Sequence, residues 1–177
     1  SVDENCYKLT QRLESRLNKT LLLLYKANKI DKDTYDNLRA IGSYPGKLYG
    51  LPKTHKTGVP VRTILSALTC HNYKLAKFLV PLLSPLASSE YTVSDVFSFT
   101  NEIQERSDLN RTLLFSLDIE SLFTNVPVSE TIDIILRKLY PHDSIIYHGF
   151  DRNDFCSLLK LAVEDSYSLF IVNCTVK

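Results

Sequence analysis

The sequence predicts an α+β fold, and three observations carry that prediction. Leu9, Leu13, Leu17, Leu21 and Leu24 recur at helical spacing. Two short apolar runs, 47–51 and 61–65, flank a loop that holds Pro52, Gly58 and Pro60. A third apolar run, Thr112 to Leu117, has the length of a strand and stands between segments of helical pattern. The order is helices, hairpin, helices, strand, helices, strand, which is the arrangement of an α+β protein.

Each element has a local reason. Lys, Arg and Gln fill the positions between the first leucines, so residues 4–28 form an amphipathic helix. Asp31 caps a second, shorter helix that ends by Gly42. Ser43-Tyr44-Pro45-Gly46 is turn chemistry and opens the hairpin. Residues 72–87 are helical with Leu and Phe on one face, and Pro81 and Pro85 kink or divide that helix. Ser94 and Asp95 cap another helix that runs to Glu105. The run Thr112–Leu117 is bounded by polar residues, reads as a buried strand and ends at Asp118. Pro127 and Ser129 open a helix to about Tyr140, and a further helix spans about Asp151 to Glu164. The run Tyr167–Val172 is a candidate last strand.

The composition, 44% hydrophobic and 23% charged over 177 residues, excludes disordered and collagen-like classes. No apolar run approaches the roughly 20 residues that span a bilayer. The start of the chain lacks the pattern of a secretory signal, so the protein is not expected to be secreted. The chain contains no Met, so it is expected to be a piece of a longer protein. The net charge of +1 hides an asymmetry. Residues 1–80 carry 14 Lys/Arg against 6 Asp/Glu, a balance of +8; residues 81–177 carry 7 against 14, a balance of −7. Such a division suits a nucleic-acid-facing half beside a metal-holding half, or two differently solvated faces. Cys6, Cys70, Cys156 and Cys174 form no zinc spacing and read as reduced, mostly buried thiols. The sequons at Asn18, Asn110 and Asn173 are read as accidental.

Two places carry chemistry. Asp118 closes a buried apolar run, where a carboxylate is costly unless it is paired or holds a metal. The plainer alternative is a cap on the turn that follows. The hairpin carries Lys53, Lys56 and Arg62, whose charges suit an anion; Arg adds bidentate geometry. The plainer alternative there is a basic hairpin on a solvated surface.

The stretch Leu117-Asp118-Ile119-Glu120-Ser121-Leu122-Phe123-Thr124-Asn125-Val126-Pro127 resembles motif A of reverse transcriptases, in the form found in Penelope-like retroelements. The stretch from Leu48 to Ile64, with its Leu51-Pro52-Lys53-Thr54-His55-Lys56 core, is similar to fingers motifs 1 and 2 of the same elements. Thr63 departs from the Pro usual after the motif's Arg. Tyr73-Lys74-Leu75-Ala76-Lys77 through Leu86 resembles the helix between fingers and palm. The tail Phe170-Ile171-Val172-Asn173-Cys174 looks like the approach to motif B, with Cys174 where Gly is usual.

The resemblance implies an incomplete right-hand polymerase. N-terminal helices would occupy 1–42, fingers 43–111 and a partial palm sheet with packed helices 112–177. It implies that Asp118 and the Ile119 backbone carbonyl hold Mg2+, two ions in the complete enzyme. It implies that Arg62, Lys56 and Lys53 contact the triphosphate, and that Phe123 excludes a ribose 2′-hydroxyl. The implied partners are an RNA template, a DNA primer and a deoxynucleoside triphosphate, with no membrane. The remaining acids belong to the family's motif C, an Asp-Asp pair that this sequence does not contain. The isolated chain is therefore expected not to polymerise. The alternatives are another palm-type polymerase and a non-catalytic nucleic-acid-binding remnant of a retroelement.

Overall fold

The computed structural model describes residues 2–106, 113, 115–119, 122–142, 145–164 and 168–170. The fold is mixed α+β. Helix α1 spans Val2–Lys26 and α2 spans Lys32–Leu38. Strands β1 (Gly46–Pro52) and β2 (Val61–Ser66) follow, then α3 (Tyr73–Ala87) and α4 (Val96–Glu105). A single turn, α5 (Leu122–Asn125), precedes α6 (Val128–Leu139), α7 (Arg152–Val163) and the short β3 (Ser168–Phe170).

The helical body rests on apolar stripes. Leu17, Leu21 and Leu24 are buried on one face of α1, while Leu9 and Leu13 are half-buried. Phe155, Leu158 and Leu159 lie at i, i+3 and i+4 on α7 and are buried. One core takes these residues together with Leu38, Leu75, Leu79, Ile132 and Leu136. Each fully buried Leu or Phe contributes about 1.5–3 kcal/mol.

Local chemistry sets the helix ends. Asp31 accepts from the Thr34 N–H at 2.7 Å and caps α2. The Asp95 carboxylate accepts from the Phe97 and Ser98 N–H groups at 2.8 and 2.9 Å. Asn28, at φ 55°, closes α1 while the Lys29 N–H donates to the Leu24 carbonyl at 2.9 Å. Pro81 and Pro85 both lie inside α3, which runs through them unbroken. The Ser84 hydroxyl donates to the Val80 carbonyl at 2.9 Å within the same stretch.

The chain then reverses through a two-residue turn. His148 and Gly149 both have positive φ, 50° and 85°, and Tyr147 and Phe150 exchange backbone hydrogen bonds at 2.9 and 3.0 Å across it. A Cβ on Gly149 would stand 3.2 Å from the Lys29 carbonyl, so the position needs glycine twice over. The turn sends Phe150 inward against Phe155, with ring centroids 6.3 Å apart. The buried Tyr140 hydroxyl donates to the Phe150 carbonyl at 3.1 Å. Burial, then the nearby charges of Asp151 and Asp154, push its pKa up to about 12.

Two expectations are corrected. The run 112–117 was expected to be a buried strand. Its described residues form no strand, and Leu113, Phe115 and Leu117 are 86%, 77% and 85% exposed. Apolar composition marks an affinity for burial, but a strand also needs a hydrogen-bonded neighbour. Among the described residues the sheet supplies none: its order is β2-β1-β3, with β1 antiparallel to β2 and parallel to β3. Cys6, Cys70 and Cys156 were expected to be mostly buried and are free but only half-buried; Cys174 lies outside the described residues. Of the expected last strand, Ser168–Phe170 is present, while Tyr167, Ile171 and Val172 lie outside the described residues.

The body is pinned by an ionic clamp that joins distant parts of the chain. The Lys29 ammonium donates to Asp151, at 2.7 Å, and also to Asp154. Asp151 is itself the cap of α7, accepting from the Asn153 and Asp154 N–H groups at 2.9 Å each. Asp154 closes the capping box by accepting from the Asp151 N–H at 3.2 Å. The Lys29 hydrogen bond, foremost, lowers the Asp151 pKa from 3.8 to about 2. That depressed value contributes stability above pH 3.8, lost as pH falls towards 2. Lys29→Met is expected to cost about 1–2 kcal/mol at neutral pH. It should also flatten the fall in melting temperature between pH 4 and pH 2 that the wild-type chain shows, as read by circular dichroism; an unchanged acid profile would contradict the clamp.

Candidate functional site

The candidate site is built on the β1–β2 hairpin. Lys47 pairs with Ser66, Tyr49 with Ile64, Leu51 with Arg62 and Pro52 with Val61. Residues directly opposite in an antiparallel pair share a face. Arg62 therefore shares its face with Leu51, and by alternation with Tyr49 and Lys47. All four are exposed. The face thus offers two cations and an aromatic ring.

The tip is closed by backbone bonds. The Lys53 N–H donates to the Pro60 carbonyl at 2.8 Å, the Lys56 N–H to the Lys53 carbonyl at 3.0 Å, and the Val59 N–H to the Lys56 carbonyl at 3.0 Å. Lys53 is half-buried and Lys56 exposed. Val59 has φ 42°, which is costly for a β-branched residue and marks the tip as strained.

The base of the hairpin is anchored to the helical body. The Glu14 carboxylate on α1 accepts from the Gly42 and Ser43 N–H groups at 3.3 and 2.7 Å. Burial works to raise its pKa, but the Ser43 hydroxyl and these N–H groups outweigh burial and lower it. Asn18, one turn on from Glu14, holds the Ala40 backbone at both ends: its amide donates to the carbonyl at 2.8 Å and its oxygen accepts from the N–H at 3.0 Å. That double engagement gives this sequon a structural role. The Tyr44 N–H donates to the Thr69 carbonyl at 3.0 Å across the hairpin's mouth.

Lys53, Lys56 and Arg62 are brought together on one hairpin. Asp118 and Ile119 lie instead in an exposed, non-helical stretch. Among the described residues no hydrogen bond or ion pair joins Asp118 to the hairpin. Phe123 lies in α5, a turn that the sequence pattern did not predict. Sequence reasoning passed over Tyr49 and Lys47, although the two-residue period of a strand places them beside Arg62. Magnesium takes oxygen ligands, which a carboxylate and a backbone carbonyl supply. Two ions need more than one carboxylate, and among the described residues no three His, Cys, Asp or Glu side chains converge. The described donors therefore do not by themselves fit a two-metal centre. Among the described residues no helix is long and apolar enough to cross a membrane.

No family model, curated protein or solved structure matches the chain.

Gly50 gives the hairpin a direct test. A Cβ built there would collide with the Val61 side chain. Gly50→Ala is expected to destabilise the hairpin by about 1 kcal/mol. Val61→Ala in the same chain should restore it, as measured by amide exchange of Leu48 to Leu51. No coupling between the two substitutions would contradict the register.

Proposed function

We propose that this chain is the fingers and first part of the palm of a reverse transcriptase similar to those of Penelope-like retroelements. The observation that supports this most is the antiparallel hairpin on which Lys53, Lys56 and Arg62 are gathered. A nucleoside triphosphate carries several negative charges, and a paired scaffold holds cations towards it at less entropic cost than a free loop. In this reading Arg62 makes the bidentate contact and the lysines neutralise charge. Lys47 and Tyr49 flank the same face. Asp118 and the Ile119 carbonyl donate to Mg2+, and the parent protein contributes the other acids. Phe123 filters the sugar by bulk. The full reaction is RNA-directed DNA synthesis on a DNA primer.

Primer extension by the parent protein tests this. With an RNA template, a DNA primer and deoxynucleotides, Asp118→Asn should lower extension by about a hundredfold or more, equivalent to about 3 kcal/mol or more of barrier. The 177-residue chain alone should not extend the primer. Undiminished synthesis by the Asp118 variant would reject the assignment, and binding of the primer and template by the parent protein with no extension would favour a non-catalytic remnant.

The sugar filter makes a separate forecast. Phe123→Ala in the parent protein should admit ribonucleotides while deoxynucleotide use is retained. If the wild-type protein already prefers ribonucleotides, the chain belongs to another class of palm polymerase.

A further inference from the structure

A second basic feature lies outside the hairpin, between α2 and α3. One end is a recess of about 400 Å³ that Arg39, Ser43 and His71 help to line. The other end, of about 340 Å³, is bounded by Lys77 and Phe78. Tyr73 and Lys74 line both, so the two recesses adjoin and together are called the groove.

Arg39, Lys74 and Lys77 are exposed, and among the described residues none of them has an ion-pair partner. Among the described residues Asp36 is the single acid in the lining. Lys74 and Lys77 stand three residues apart on α3, so they leave the helix on one face about 5–6 Å apart at Cβ. Arg39, at the C-terminal cap of α2, lines the same groove. The Asn72 amide donates to the Ala162 carbonyl at 2.7 Å, and its side chain does not cap α3. The helix therefore adds its own partial positive charge at this end of the groove. Among the described residues these three cations have no ionic partner, and all three line the groove. An exposed tyrosine amid cations in a groove is the arrangement that binds single strands, with phosphates on the cations and a base on the ring.

We propose that this groove holds a single-stranded nucleic acid, with phosphates on Arg39, Lys74 and Lys77 and a base against Tyr73. The choice of nucleic acid over other polyanions rests on the polymerase reading; the geometry and charge of the groove do not.

The test is fluorescence anisotropy of the 177-residue chain with a labelled oligo(dT) strand about twenty nucleotides long, across a salt series. Lys74→Gln combined with Lys77→Gln should weaken binding about tenfold or more and make the log–log salt slope shallower by about 1.4. Tyr73→Ala should weaken it roughly tenfold with the slope unchanged. Arg39→Gln, on the other helix, gives an independent reading should the α3 variants lose their circular dichroism. Affinity and slope unchanged in these variants would overturn the groove. If binding is then lost with Lys53→Gln and Lys56→Gln instead, the hairpin reading survives without it. Binding to phosphatidylserine vesicles but not to oligo(dT) would also overturn the proposal.

Discussion

The molecule depends on how α7 is held. Its first turn is capped by Asp151, and that same carboxylate receives Lys29, 122 residues earlier in the chain. Its apolar stripe of Phe155, Leu158 and Leu159 enters a core shared with α1, α3 and α6. Near its far end the Ala162 carbonyl accepts from Asn72 at the start of α3. One twelve-residue helix is thus tied to earlier parts of the chain through an ionic clamp, an apolar face and a buried amide. Both carboxylates of the clamp are also held by the capping box. Less side-chain freedom is lost when the contact forms.

The hairpin is a projection from that body. Glu14 and Asn18, both on α1, hold the backbone at residues 40–43, just before β1 starts. The order of dependence runs from core, to anchored loop, to strand register, to the cations at the tip. The groove between α2 and α3 shares the same support, since Ser43 lines it and is bound by Glu14. The +8 half of the chain carries both features. Its charge asymmetry therefore has a structural expression: two basic surfaces mounted on one helical frame.

Features set by local forces were legible in the sequence. Asp31 and Asp95 cap the helices expected of them, because a cap acts within three residues. The hairpin was legible because turn residues and two-residue periodicity are both local. The clamp of Lys29 was not, because nothing local ties residue 29 to 151. Nor were the roles of Glu14 and Asn18, whose partners lie on a loop more than twenty residues away. The stretch before Asp118 misled for a related reason: its apolar residues state a preference for burial without naming a partner. Pro81 and Pro85 do not divide α3, since a helix held by its buried Leu75 and Leu79 tolerates two missing donors. Of the candidate site, the cations of the tip were legible, whereas Tyr49 and Lys47 needed the register.

The central claim is that the hairpin reads a triphosphate, and titration of the chain with dTTP and with dTMP, followed by amide resonances, tests it most directly. The account predicts that dTTP shifts the signals between Lys53 and Arg62, that dTMP leaves them in place, and that Arg62→Ala weakens the response about tenfold or more. Equal responses to the two nucleotides, or shifts confined to residues outside the hairpin, would contradict it.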